Sequence, residues 1–186
     1  MKLRQLSIAA ALLLASTFAS AHAQIGVYGK FNVVHVPATS ATNFVTPGWY
    51  YGPSGGVYFN LVHLGPVSLG GDIRADYLFQ SPQRYRDVLF GVRVGAKAPI
   101  LPLRPYAQIS AGIGGPSTGG VQNTGRTYSN KFQYWIIGGV DHTILPRIDW
   151  RVAEIGYGHM TGVSSGPPVA GVNLFTLSTG VVVRLP

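Results

Sequence analysis

The chain has 186 residues, 46% of them hydrophobic and only 11% charged, with 14 Lys+Arg against 6 Asp+Glu and a formal net charge of +8. That length fits one domain, the charged share is well under half that of an ordinary soluble domain, and so much apolar residue excludes a disordered chain and a collagen-like one. The absence of cysteine excludes disulfide staples, thiolate metal centres and a cysteine nucleophile.

Residues 1–23 read as an export signal. Lys2 and Arg4 form a basic start, Ile8 to Phe18 an apolar run, and Ala21-His22-Ala23 an A-x-A cleavage site, so the mature chain is expected to begin at Gln24 and residues 24–186 to form the domain. The apolar run is too short to stop in a membrane as a helix. Export also removes most of the case for nucleic acid as partner of a basic protein.

Beyond Gln24 the apolar period is two, the mark of strands with two different faces. The first run, Ile25 to Val34, sets Ile25, Val27, Phe31 and Val33 against Tyr28, Lys30 and Asn32. The second is Gly56 to His63. The third, Val67 to Gln80, is the clearest: Val67, Leu69, Ile73, Ala75, Tyr77 and Phe79 oppose Ser68, Asp72, Arg74, Asp76 and Gln80. Asp87 to Ala98, Arg104 to Gly114, Lys131 to His142, Asp149 to Gly158 and Val172 to Leu185 follow the same rule. In the seventh run Arg151 and Glu154 are three apart, so strict alternation splits them between faces. Either Arg151 snorkels to the membrane edge or a bulge near Val152 resets the phase.

Eight such strands are long enough to cross a bilayer at a tilt. Connections of His35 to Gly55, Gln80 to Arg86, Gly115 to Asn130 and His159 to Gly171 fall at one end. Short turns at Leu64-Gly65-Pro66, Pro99 to Leu103 and Thr143 to Arg147 fall at the other, with both termini. A soluble lipocalin-type barrel alternates too, but its polar face would meet water and carry many charges. Here the polar face is mainly Gly, Ser, Thr, Asn and Gln, the apolar face is nearly free of charge, and aromatics (Phe31, Trp49 to Tyr51, Tyr77, Phe79, Tyr85, Phe132, Tyr134, Trp150, Tyr157, Phe175) gather near strand ends. The expectation is therefore an all-β fold: an eight-stranded antiparallel up-and-down transmembrane β-barrel, apolar face to lipid, in the outer membrane.

That orientation turns Lys30, Asp72, Arg74, Asp76, Arg93, Lys97, Arg104, Asp141, Glu154 and Arg184 into the lumen. A buried ion needs a partner, so these charges are expected to pair as a structural plug; a selective ion path or gate is the alternative. Trp49, Tyr50 and Tyr51 in the first loop, Arg84 and Arg86 in the second, and Arg126 and Lys131 in or beside the third are the candidate external contacts. Outer-membrane lipids, including lipopolysaccharide phosphates, suit these cations.

Arg104 to Gly114, Gly138 to Arg151 and Leu177 to Leu185 carry a family resemblance. The first is similar to an Arg-Pro-Tyr opening of a mid-barrel strand, and the second to a periplasmic turn between Gly-Gly-Val-Asp and Trp-Arg. Over Gln24 to Leu185 the chain resembles the small outer-membrane β-barrel proteins of the OmpA/OmpX-like type. The resemblance implies the fold and assembly by the barrel-insertion machinery, not an activity. The family usually ends in an aromatic residue, whereas this chain ends Arg184-Leu185-Pro186, and no peptidoglycan-binding domain is expected. A layout similar to outer-membrane lipid A deacylases, with His159 near Thr161, Ser164 and Ser165, lacks their carboxylate: the position falls near Asn173. His35, His63 and His142 show no metal spacing, and the glycines at 114–115 and 119–120 lack the strand–loop–helix setting of a phosphate cradle. No cofactor and no enzyme activity are expected. The role anticipated is structural, adhesive or surface-recognising, through the external loops of a monomer, with a narrow small-solute channel as the alternative and an acyl hydrolase as a distant one.

Overall fold

The computed structural model describes residues 24–38, 45–98, 100–118, 127–161 and 171–185. The export segment read at residues 1–23 lies outside them. Among the described residues nine strands form: β1 (Gln24–Val36), β2 (Gly48–Leu64), β3 (Val67–Gln80), β4 (Gln83–Ala96), β5 (Leu103–Thr118), β6 (Thr127–Tyr128), β7 (Lys131–Leu145), β8 (Ile148–Met160) and β9 (Val172–Leu185). Eight of them pair antiparallel with their chain neighbours, and β1 pairs with β9 from Ile25↔Leu185 to His35↔Phe175, which closes the barrel. β6 pairs only with the outer end of β5. Closure leaves the eight-stranded sheet without an edge, as a spanning sheet requires where no water can satisfy a free backbone group.

Apolar side chains face outward along every spanning strand. Leu69 and Ile73 of β3, Phe90 and Val92 of β4, Ile109 and Ile113 of β5, and Ile155 and Tyr157 of β8 are exposed, while their polar neighbours in sequence are buried. Outward aromatics crowd the end opposite the termini, where Tyr51 faces Phe79 and Tyr157 faces Phe175 across the ladders. Near the terminal end Trp150 holds the comparable place.

Several boundaries differ from the sequence reading. The second strand starts at Gly48, not Gly56, so Trp49, Tyr50 and Tyr51 lie on β2 rather than in a loop. Trp49 and Tyr51 point outward, but Tyr50 is fully buried in the lumen, as is Tyr85, so neither belongs to an aromatic girdle. Gly52 to Gly56 looked like loop because glycine and proline punctuate chains. Pairing with β1 along its whole length holds this stretch extended, while the ladder to β3 skips Gly52 and Pro53 and resumes at Ser54↔Asp76. The β3–β4 connection is a tight turn at Ser81 and Pro82, so Arg84 and Arg86 sit on β4. Long and short connections are therefore not fully segregated. At the terminal end Gly65 takes φ +62° between β2 and β3, a backbone angle that glycine adopts without strain.

The open question at Arg151 resolves as a bulge. Arg151 faces Gly180, Glu154 faces Ser178, and only Thr179 stands opposite Val152 and Ala153. Both intervening residues turn outward, which leaves Arg151 and Glu154 on the inner face together. The Thr179 hydroxyl donates to the Arg151 carbonyl at 2.9 Å and accepts from the Trp150 indole at 3.2 Å, fixing the irregularity.

Inside the outer half, Tyr50, Leu78, Tyr85, Leu89, Trp135, Ile137, Met160 and Leu174 belong to one buried cluster. Gly158 makes room for it: a Cβ there would stand 2.4 Å from the Trp135 ring. Gly158→Val should therefore displace Trp135 and cost about 1–3 kcal/mol of stability. The check is urea unfolding in vesicles followed by tryptophan emission, which should show an earlier midpoint than for the unaltered barrel.

Candidate functional site

All six carboxylates of the chain are buried: Asp72, Asp76, Asp87, Asp141, Asp149 and Glu154. Burying a charge is costly unless it is paired and hydrogen-bonded. The strands answer this by bringing opposite charges together across the barrel. Glu154 on β8 meets three cations: the Lys30 ammonium from β1, Arg74 Nη1 from β3 at 3.0 Å, and Arg151 Nη1 from its own strand at 3.2 Å. Ser178 donates to it at 3.2 Å, and the Tyr106 hydroxyl donates to its other oxygen.

Two aspartates extend the set. Asp72 accepts from Tyr28 at 2.9 Å, Gln108 at 2.8 Å and Arg74 Nε at 3.3 Å. Asp141 accepts from Arg151 Nε at 2.9 Å and Arg93 Nη2 at 3.0 Å. Aromatic rings complete the shell, with the Arg93 guanidinium 4.2 Å from the Tyr58 centroid and 3.6 Å from that of Tyr106, and Arg151 4.4 Å from Tyr28. Such contacts stabilise a cation most where water is excluded.

The remaining candidates are dispersed. Asp76 accepts from Asn32 at 3.2 Å, one layer further out. Arg184 Nε lies 2.9 Å from Asp149 Oδ2 at the terminal mouth. Arg104 is half-buried there without an ion pair among the described residues, and Lys97 lies past the end of β4, exposed and outside the lumen. Asp87, Asp149 and Arg151 are buried charges in addition to the inward set expected from the sequence. Their parity was legible for Asp87, which alternates with outward Val88. For Arg151 it was hidden by the bulge.

The lumen is filled differently in its two halves. Charge dominates toward the termini. The outer half is mainly apolar, with Asn32, Asp76, Asp87 and Gln133 set within it. Between them a cavity of about 10 Å³, lined by Arg74, Asp76, Leu89 and Trp135 among others, has room for about one water.

At the outer rim Arg84 donates to the Tyr77 hydroxyl at 2.9 Å and lies 5.3 Å from the Phe79 centroid. Arg86 is exposed, 3.8 Å from the centroid of Tyr128 on β6. The Tyr128 phenol, outside the spanning strands, is held above its ordinary pKa, first by partial burial and then by its hydrogen bond to Tyr77. Lys131 begins β7 at the same rim, and Arg126 lies outside the described residues. Below Arg86 the lipid-facing wall is hollowed where Pro53, Gly55 and Ala75 replace bulkier side chains. The groove holds about 540 Å³ and is bounded by Tyr77, Arg86 and Val88.

His159 has an oriented ring, with Nδ1 2.8 Å from Asn173 Oδ1. The Thr161 hydroxyl instead donates to the Phe132 carbonyl at 3.0 Å, so the geometry shows no hydroxyl delivered to the imidazole. Ser164 and Ser165 lie outside the described residues.

No family model matches the sequence, and no curated protein matches it. Solved structures do. Neisserial surface protein A superposes with a TM-score of 0.61 at 14% identity, over 89% of this chain and 98% of that one. A major outer membrane protein from Thermus thermophilus gives 0.53 at 10% identity, over 89% and 100%. The chain folds as a small outer-membrane β-barrel. At such identities the likeness shows the fold alone.

The charge set around Glu154 makes a direct prediction for this barrel. Glu154→Gln keeps the side chain's shape but leaves three buried cations short of a counter-charge. It should lower stability by about 3–5 kcal/mol, read as the urea midpoint in vesicles. Arg86→Gln, at the exposed rim, should change it by less than about 0.5 kcal/mol. Equal effects from the two would show that Glu154 does not bind the lumen together.

Proposed function

We propose that this is a non-conducting outer-membrane barrel that works through its outer rim, by holding anionic lipid phosphates. The observation that carries the reading is the division of charge. Every carboxylate is buried in the lumen, so the outward side chains include cations and no acid. At the outer rim Arg84 and Arg86 stand beside aromatic rings above a groove of about 540 Å³. A guanidinium forks onto phosphate oxygens, and a mostly apolar hollow below it suits the chain attached to that phosphate.

The filled lumen supports the non-conducting half of the reading. An ion entering from the outer end would meet Tyr50, Leu78, Leu89 and Trp135 before reaching any paired charge. Surface display is also what the name of Neisserial surface protein A describes for that protein.

Two measurements test the proposal. Lipid A extracted with the purified protein should fall by roughly tenfold in an Arg84→Gln, Arg86→Gln double variant, the worth of one lost charged hydrogen bond or more. The variant should still migrate as a folded, heat-modifiable band. Unchanged lipid A content in the folded variant would refute the rim assignment. In planar bilayers the unaltered protein should give no stable conductance steps, and reproducible steps at neutral pH would favour the channel.

A further inference from the structure

The barrel's terminal mouth carries a second concentration of positive charge, independent of the outer rim. A cavity of about 270 Å³ opens there, with Tyr58, Asn60, Ser68, Arg93, Lys97 and Arg104 in its lining. A neighbouring hollow of about 420 Å³ shares Lys97 and Arg104 and reaches Arg184. The carboxylate in the first cavity's lining is Asp141, and it is already engaged: Oδ1 takes Arg151 Nε at 2.9 Å, and Oδ2 takes Arg93 Nη2 at 3.0 Å and Arg151 Nη2 at 3.3 Å.

Three cations therefore line a space whose acid is spent. Arg93 is the telling one. It is 5% exposed, its guanidinium lies between the rings of Tyr58 and Tyr106, and its Nη1 is buried with no hydrogen-bond partner. Lys30, Arg74 and Arg151, deeper in the barrel, end on carboxylates, as Arg93 does through Nη2. Its Nη1 is enclosed, so Arg93 contributes its charge beneath the cavity rather than a free donor. Lys97 and Arg104 add two cations without ion pairs among the described residues. The hydroxyl of Tyr58 and the amide of Asn60 offer further donors.

We infer that this mouth is a binding site for a phosphate-class oxyanion. A tetrahedral anion with several oxygens can accept from Arg104 and Lys97 at the lip together, above the buried positive charge of Arg93. The phosphate can belong to a free anion or to a lipid headgroup of the leaflet at this end, because the cavity opens at the membrane surface.

The test uses the membrane-extracted protein in an uncharged detergent, titrated at constant ionic strength with inorganic phosphate, with chloride, and with a soluble short-chain phosphatidic acid. Backbone amide spectra and calorimetry report binding. Arg104→Gln and Lys97→Gln serve as variants because neither side chain contributes to the ion pairs around Glu154. The expected result is saturable one-to-one binding of phosphate or phosphatidic acid, with shifts at Ser68 and Arg93, weakened roughly tenfold by Arg104→Gln. Binding of both ligands marks a free-anion site, and binding of phosphatidic acid alone marks a headgroup site. Failure of both ligands to saturate, shifts reproduced by chloride, or undiminished affinity in both variants would overturn the inference. The Arg84, Arg86 double variant should bind as the unaltered protein does, which separates this result from any outcome at the outer rim.

Discussion

Glu154 is the only glutamate in the chain, and three cations from three strands converge on it. The constraint behind this is solvation. A barrel in hydrocarbon has two places for a charged side chain, the headgroup layers and the lumen, and in the lumen the counter-charge must come from the protein. β1, β3 and β8 meet that demand only because closure of the sheet brings strands distant in sequence across from one another. The β8 bulge belongs to the same solution. Without two consecutive outward residues at Val152 and Ala153, Arg151 would face lipid and Glu154 would lose its nearest partner in sequence.

Consequences spread outward from that arrangement. Carboxylates enclosed in the lumen are missing from the outer surface, so what remains at both membrane edges is cationic. The lumen itself becomes layered, charged toward the termini and mainly apolar toward the outside. In the proposed non-conducting barrel an ion meets a mainly apolar outer half, then an inner half whose carboxylates are all engaged by its own cations. The same layering ends abruptly at the terminal mouth, where Arg93 completes one bond to Asp141 and keeps another nitrogen unused.

Much of this was legible in the sequence because lipid-facing strands declare themselves by strict alternation over ten or more residues. Val67 to Gln80 specifies which residues face out without any knowledge of their partners. Three kinds of feature were not legible. Tyr50, Leu89 and Trp135 are apolar on the polar face, and alternation alone cannot say whether a lumen is filled by grease or by charge. Gly52 to Gly56 carries turn-forming residues, yet its neighbours on β1 hold it extended, an effect of pairing rather than propensity. The positions of Lys97 and Arg104 depend on where β4 ends and β5 begins, and strand ends are where periodicity fades first.

The phase reset at β8 is the sharpest point on which the account stands. Single-cysteine variants at Ile109, Ser110, Val152 and Ala153, spin-labelled in bilayers, measure it through relaxation by oxygen, which partitions into hydrocarbon, against a water-soluble nickel complex. Oxygen contact is expected for the labels at 109, 152 and 153, and protection from oxygen at 110. Regular alternation across 152 and 153, with one label facing lipid and the other enclosed, would place Arg151 and Glu154 on opposite faces and contradict it.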